Sequence, residues 1–248
     1  MAEPIPNLLF KYLGKEGGIK TLENLTLMFS NPADLNDPFE FLPRLELSPH
    51  SRDDERTSKA KNQVRDYGRN SFIFCMTSKE HNVRMWDHYG DKHQGLMIQL
   101  DFGKTLAEHR GWILRVHYDS EVRFDPLDKS LETEEKPKRF RDIVTHKGED
   151  WKPESEYRWI LPAQNCYSMG QEKEPEQKGE LRLLDKKMKA FLPIPAASIL
   201  KVTVGYHCSE SLLSTVLQLR ARHHAPWLVA KAKLSLDRFT FEDEIITA

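Results

Sequence analysis

The run Trp151-Lys152-Pro153-Glu154-Ser155-Glu156-Tyr157-Arg158-Trp159-Ile160-Leu161 constrains this chain more than any other, because its side chains alternate in character with a period of two. Successive side chains of a strand point to opposite faces. The pattern therefore predicts a β-strand with Glu154, Glu156 and Arg158 on one face and Tyr157, Trp159 and Leu161 on the other. The aromatic face is ready to be buried. The charged face has two readings. It is the solvated side of an ordinary half-buried strand, or it is a site in which two crowded carboxylates have their pKa values driven apart and take separate tasks.

A chain of 248 residues can bury a real core, and one α+β domain with charged insertions near residues 50–68, 121–147 and 168–180 accounts for all of it. Charged residues make up 30% and hydrophobic ones 39%, with a formal net charge of -1, which gives no general attraction to nucleic acid or membrane. The apolar runs are too short to span a bilayer, and Met1-Ala2-Glu3-Pro4 does not open like a signal peptide, so a cytoplasmic protein is expected. Cys75, Cys166 and Cys208 are scattered and odd in number, which argues against a disulfide framework or a thiolate zinc cage. Cys75, inside Phe72-Ile73-Phe74-Cys75-Met76, reads as a buried inert thiol.

Along the chain, strands are predicted at Leu8–Tyr12, Leu25–Phe29, Ser71–Met76, Gly95–Leu100, Trp112–Tyr118 and Ile199–Gly205, with one or two more between Trp227 and Phe241. Helices are predicted at Glu16–Asn24, Val83–Tyr89 and Glu210–Arg222. Arg52–Tyr67 reads as a charged surface helix able to act as a lid or as a partly disordered insertion, Glu121–Lys147 as a loop or exposed helix outside the core, and Gln171–Gly179 as the most mobile loop. Many short strands with scattered helices point to α+β, with mixed and mostly antiparallel sheets and peripheral helices. No glycine-rich phosphate loop is present, so neither a dinucleotide fold of the Rossmann type nor a P-loop is expected.

Asn36-Asp37-Pro38-Phe39-Glu40 reads mainly as a rigid corner anchored in the core by Phe39, with Asn36, Asp37 or Glu40 as possible hydrogen-bonding residues of a site. His81, His88 and His93, with Asp87 and Asp91, have no standard ligand spacing, so no metal site is assigned.

Together, Phe10-Lys11-Tyr12, Asn36–Glu40, Trp86-Asp87-His88-Tyr89 and Trp151–Arg158 resemble an uncharacterised bacterial family, the domain of unknown function 2971 family. The order of elements is loosely similar to the ADP-ribosyltransferase superfamily, in which a first-strand polar residue, a middle-strand Ser-Thr-Ser-like motif and a late Glu-x-Glu surround NAD. The resemblance implies that Lys11 or Tyr12 fills the first place, Thr77-Ser78 the second and Glu154-Ser155-Glu156 the third. It also implies NAD as substrate, with Trp86 or Tyr12 stacking on a ring, Lys11 or an arginine such as Arg158 meeting the pyrophosphate, and Asn36 contributing a hydrogen bond. Glu156 would stabilise the cation formed when nicotinamide leaves, and Glu154 would activate an acceptor on a protein or nucleic acid. A toxin or phage-defence effector is the biological role implied. Two rival readings stay open: a noncatalytic nucleotide- or protein-binding module, and a hydrolase of NAD or nucleic acid.

Overall fold

The computed structural model describes residues 4–41, 62, 64–120, 136–172 and 178–247. In chain order these give β1 (Leu8–Leu13), α1 (Lys15–Asn24), β2 (Thr26–Ser30), β3 (Ser71–Thr77), α2 (Val83–His88), β4 (Leu96–Asp101), β5 (Ile113–Arg115), β6 (His117–Asp119), α3 (Lys136–Val144), β7 (His146–Gly148) and β8 (Glu156–Pro162). There follow β9 (Cys166–Ser168), β10 (Gly179–Leu184), β11 (Lys187–Pro193), β12 (Ile199–Val204), α4 (Glu210–Arg222), β13 (Leu228–Leu234) and β14 (Phe241–Thr247). The class is α+β, as the strand-rich pattern predicts.

One large mixed sheet runs β14-β13-β12-β4-β1-β3-β2-β11-β10-β9, with β8 paired to β3 and β5 paired to β8. Its pairings are antiparallel except β12 with β13 and β9 with β10, and a separate parallel pair joins β6 to β7. The sheet is not uniformly zipped. β3 pairs with β8 along its whole length, from Ser71↔Pro162 to Thr77↔Glu156, yet it meets β1 only at Phe10↔Thr77 and β2 only at Ser30↔Ile73. On the flank of β3 opposite β8, β1 and β2 touch it at one residue each, and the space left between these contacts is where the cavity described below forms.

The main core fills one side with Phe72, Phe74, Tyr157, Trp159, Leu96, Ile98 and Leu100 of β4, and Ile199, Val202 and Val204 of β12. α4 closes it through Leu212, Val216 and Leu219, one helical face, and is started by Ser209, whose hydroxyl accepts the Leu212 N–H at 3.2 Å. α1 lies close over β4 because Gly18 has no side chain; a Cβ there would stand 2.5 Å from Leu96.

Several expectations are corrected. Trp112–Tyr118 is two strands, since β5 pairs with β8 and, beyond Val116, β6 pairs with β7. The 121–147 segment is not wholly outside the core. Residues 121–135 lie outside those described, but α3 buries Phe140, Ile143 and Val144 against Phe41, Val64, Ile73 and Ile160 in a second core. Of the proposed lid, residues 52–61 and 63 lie outside the described residues, while Val64 and Tyr67 pack on that second core. For Gln171–Gly179, residues 173–177 lie outside the description. The corner anchor is Phe41, 1% exposed, whereas Phe39 is 63% exposed. Among the described residues, no helix is long and apolar enough to cross a membrane.

Candidate functional site

The predicted charged strand face exists, and it is buried rather than solvated. β8 begins at Glu156, and all seven of its residues are covered, Glu156 and Arg158 among them. Glu154 is not on this strand. It ends a 3-10 turn over Glu149–Glu154 that contains Pro153, and Ser155 then takes a left-handed backbone conformation with φ 48°. Pro153 lacks an N–H for a ladder, and the left-handed residue breaks the two-residue alternation. Glu154 nevertheless reaches Glu156 through a shared cation.

That cation is Lys147 on β7. Its Nζ donates to Glu154 Oε2 at 2.7 Å and Glu156 Oε2 at 3.2 Å, and lies 3.8 Å from Glu40 Oε1 and 4.4 Å from the centre of the Trp151 ring. Arg158 supplies the second cation. Its Nε donates to Glu156 Oε1 at 2.7 Å, and its Nη2 to Glu156 Oε2 at 3.0 Å and Glu40 Oε1 at 2.5 Å, while Nη1 donates to the Val144 carbonyl. Three acids and two bases thus interlock in a space from which water is largely excluded.

The electrostatic outcome is specific to each group. Burial by itself would raise the Glu156 carboxyl, but Arg158 and Lys147 outweigh it and hold the group down to about 2. Burial by itself would lower Lys147, yet Glu156, Glu40 and Glu154 hold it well above the ordinary lysine range. Glu40 goes the other way: burial pushes its carboxyl up in spite of Arg158 and Lys147.

This cluster forms part of the wall of a cavity of about 820 Å³ that is also bordered by β1, β2, β3, α1 and β10. Tyr89, at the end of α2, borders it and donates to Glu154 Oε1 at 2.8 Å while accepting from Asn36 Nδ2 at 3.2 Å. Lys11 borders it too. Its amine donates to the Cys75 carbonyl at 2.8 Å in the gap between β1 and β3, and burial lowers it despite Glu156 and Glu154. Cys75 faces Glu156, and burial beside that charge pushes the thiol up, so a thiolate nucleophile is disfavoured.

The structure therefore brings Lys11, Asn36, Glu154, Glu156 and Arg158 to one cavity and leaves the other proposed residues in supporting positions. Trp86 is fully buried, edge-on to Tyr12 at 5.0 Å and to Phe241 at 6.5 Å. The Tyr12 ring, 2% exposed, borders the cavity but is spent on this packing, and its hydroxyl accepts the Asn82 N–H at 3.0 Å. Both rings are committed to a third core rather than free to stack on a ligand. Thr77 is buried and donates to the Glu154 carbonyl at 2.6 Å, and the Ser78 N–H donates to the Ser155 carbonyl at 3.2 Å. These two hold the turn that presents Glu154. Away from the cavity, Glu80, His81 and Asp243 come together, but Lys201 Nζ already binds Glu80 at 2.5 Å and also Asp243, so an ammonium sits where a metal ion would.

The sequence reading missed Lys147. The signal available was its place just after Phe140-x-x-Ile143-Val144, whose helical apolar spacing fixes the following residues against the core.

Residues 85–159 match the family model described as Protein of unknown function (DUF2971). The DUF2971 match contains Tyr89, Lys147, Glu154, Glu156 and Arg158, whereas Lys11 and Asn36–Glu40 precede it. No curated protein and no solved structure matches the chain.

Proposed function

We propose that this protein binds NAD in the cavity and breaks the bond between nicotinamide and ribose, passing ADP-ribose to a protein or nucleic-acid acceptor. The observation that carries this reading is a buried carboxylate, Glu156, fixed by Arg158 and Lys147 in the wall of a cavity of about 820 Å³. That volume is within the roughly 300–1,000 Å³ range of small-molecule sites. Loss of nicotinamide develops positive charge on the ribose, and a fixed anion in a water-poor site stabilises that charge far better than one in bulk water. Glu154, in the same cluster and hydrogen-bonded to Tyr89, would take a proton from the acceptor.

A second reading is favoured by one specific feature. Both oxygens of Glu156 are already engaged by Arg158 and Lys147, as in an ion cluster whose task is to brace a binding cavity. The two readings part in one experiment: nicotinamide release measured beside label incorporation from NAD into whole-cell protein and nucleic acid. Glu156→Gln should abolish both activities with the fold intact. Glu154→Gln should impair transfer and preserve part of the hydrolysis. Tight NAD binding without turnover by the wild type would decide for the binding module, and unimpaired turnover by Glu156→Gln would end the catalytic assignment.

A further inference from the structure

Three carboxylates reach the cavity cluster, and they differ in what their oxygens already do. Glu154 accepts from Tyr89 on Oε1 and Lys147 on Oε2, and Glu156 accepts on both oxygens from Arg158 and on Oε2 also from Lys147. Glu40 differs. Its Oε1 accepts from Arg158 Nη2, while its Oε2 is buried and has no hydrogen-bond partner among the described residues. The residue is 5% exposed and borders the cavity.

A buried carboxylate oxygen left empty costs free energy, and native proteins seldom retain one without a use. We propose that Glu40 Oε2 is the atom that accepts a ribose hydroxyl of the ligand, making Glu40 the sugar-contacting carboxylate of the site. This rests on the NAD reading and adds to it a residue outside the Glu-Ser-Glu run. A neutral donor suffices, because Arg158 and Lys147 already bring positive charge to Oε1. A sugar hydroxyl meets that requirement. The raised Glu40 carboxyl is consistent with an oxygen whose desolvation its protein partners do not fully offset. The corner geometry keeps the group in place: the Glu40 N–H donates to the Asp37 carbonyl at 3.1 Å, and Asp37 Oδ1 accepts the Phe39 N–H at 2.9 Å.

The test is calorimetric titration of NAD, ADP-ribose and ribose 5-phosphate into the wild type, Glu40→Gln and Glu40→Asp, with the unliganded thermal midpoint recorded for each. Glutamine keeps an oxygen for Arg158 and replaces Oε2 by a donor, whereas aspartate keeps the charge and withdraws the acceptor by one methylene. The expected result is affinity lower by about tenfold to hundredfold for all three ligands in both variants, the range of a lost charge-assisted hydrogen bond. Because either change removes or displaces a partner in the buried ion cluster, the unliganded midpoint should fall in both variants, and binding is compared at a temperature well below the lowest midpoint. Glu40-dependent binding of ADP-ribose and ribose 5-phosphate without NAD binding would sustain the Glu40 assignment and remove the NAD reading. Undiminished binding in a folded variant would overturn the Glu40 assignment and leave the NAD reading standing. Failure of all three ligands to bind the wild type would overturn the assignment of Glu40 to a ribose hydroxyl.

Discussion

Replacing Lys147 by Met removes an ammonium that reaches all three carboxylates, at 2.7, 3.2 and 3.8 Å, while keeping a stem of similar length against Trp151. Before the change, three acids face Lys147 and Arg158; afterwards Arg158 alone of that pair remains. Removing one partner of a buried ion cluster strands the others in a medium that cannot solvate them, which costs about 3–5 kcal/mol. The folding constant should fall by about 10²–10⁴ at pH 7. The loss should also depend on pH with a definite sign. Without Lys147 the Glu156 carboxyl titrates higher in the folded state than in the wild type, and Glu40, already raised by burial, loses one of the two cations that oppose that rise, so the variant takes up more protons on folding than the wild type and regains stability as pH falls from 7 towards 5. In the wild type Glu156 is held at about 2 and gains nothing in that window. Urea denaturation of both proteins at pH 7 and pH 5, read by tryptophan fluorescence, measures the two deficits. A deficit below about 1 kcal/mol at pH 7, or one equal at both pH values, would refute the interlocked-charge description.

Two further outcomes are expected. Because the folded Glu156 carboxyl is depressed, its contribution is fully present above the ordinary glutamate range and is lost as pH falls through about 2; the thermal midpoint of Glu156→Gln should therefore decline less steeply than that of the wild type between about pH 4 and pH 2. A methyl added at Gly17 meets nothing within 4 Å, so Gly17→Ala should stabilise α1 by about 0.5–1 kcal/mol, whereas a Cβ at Gly95 would stand 2.2 Å from the Leu13 carbonyl oxygen and Gly95→Ala should destabilise by about 1–3 kcal/mol, both read from urea midpoints.

What the sequence made legible follows from the range of the interactions involved. β1, β3, β4, β12 and α4 lie within a residue or so of their predicted limits, because burial of one face or both leaves a local apolar pattern. The charged face of β8 was legible as a pattern, but its burial was not. The cations that neutralise it come from β7 and from β8 itself, and its third acid from a corner more than a hundred residues upstream. Alternation continues through Glu154 in the sequence, but Pro153 and the left-handed Ser155 end it in space. Trp86 and Tyr12 looked available because aromatic content says nothing about which side of a sheet a ring enters. The register of β1 on β4 and the single contact of β1 with β3 decide that.

The two narrow contacts on the edge of β3 away from β8 also change what kind of object the sheet is. An ordinary sheet resists shear because every strand is laced to both neighbours, but here β3 is laced to β8 and only tacked to β1 and β2. The recess is made within a sheet by leaving rungs out, and the Lys11 amine on the Cys75 carbonyl serves as a side-chain rung across the opened seam. Mechanical load along that seam falls on few bonds, so the long sheet contains its own line of compliance beside the charged residues.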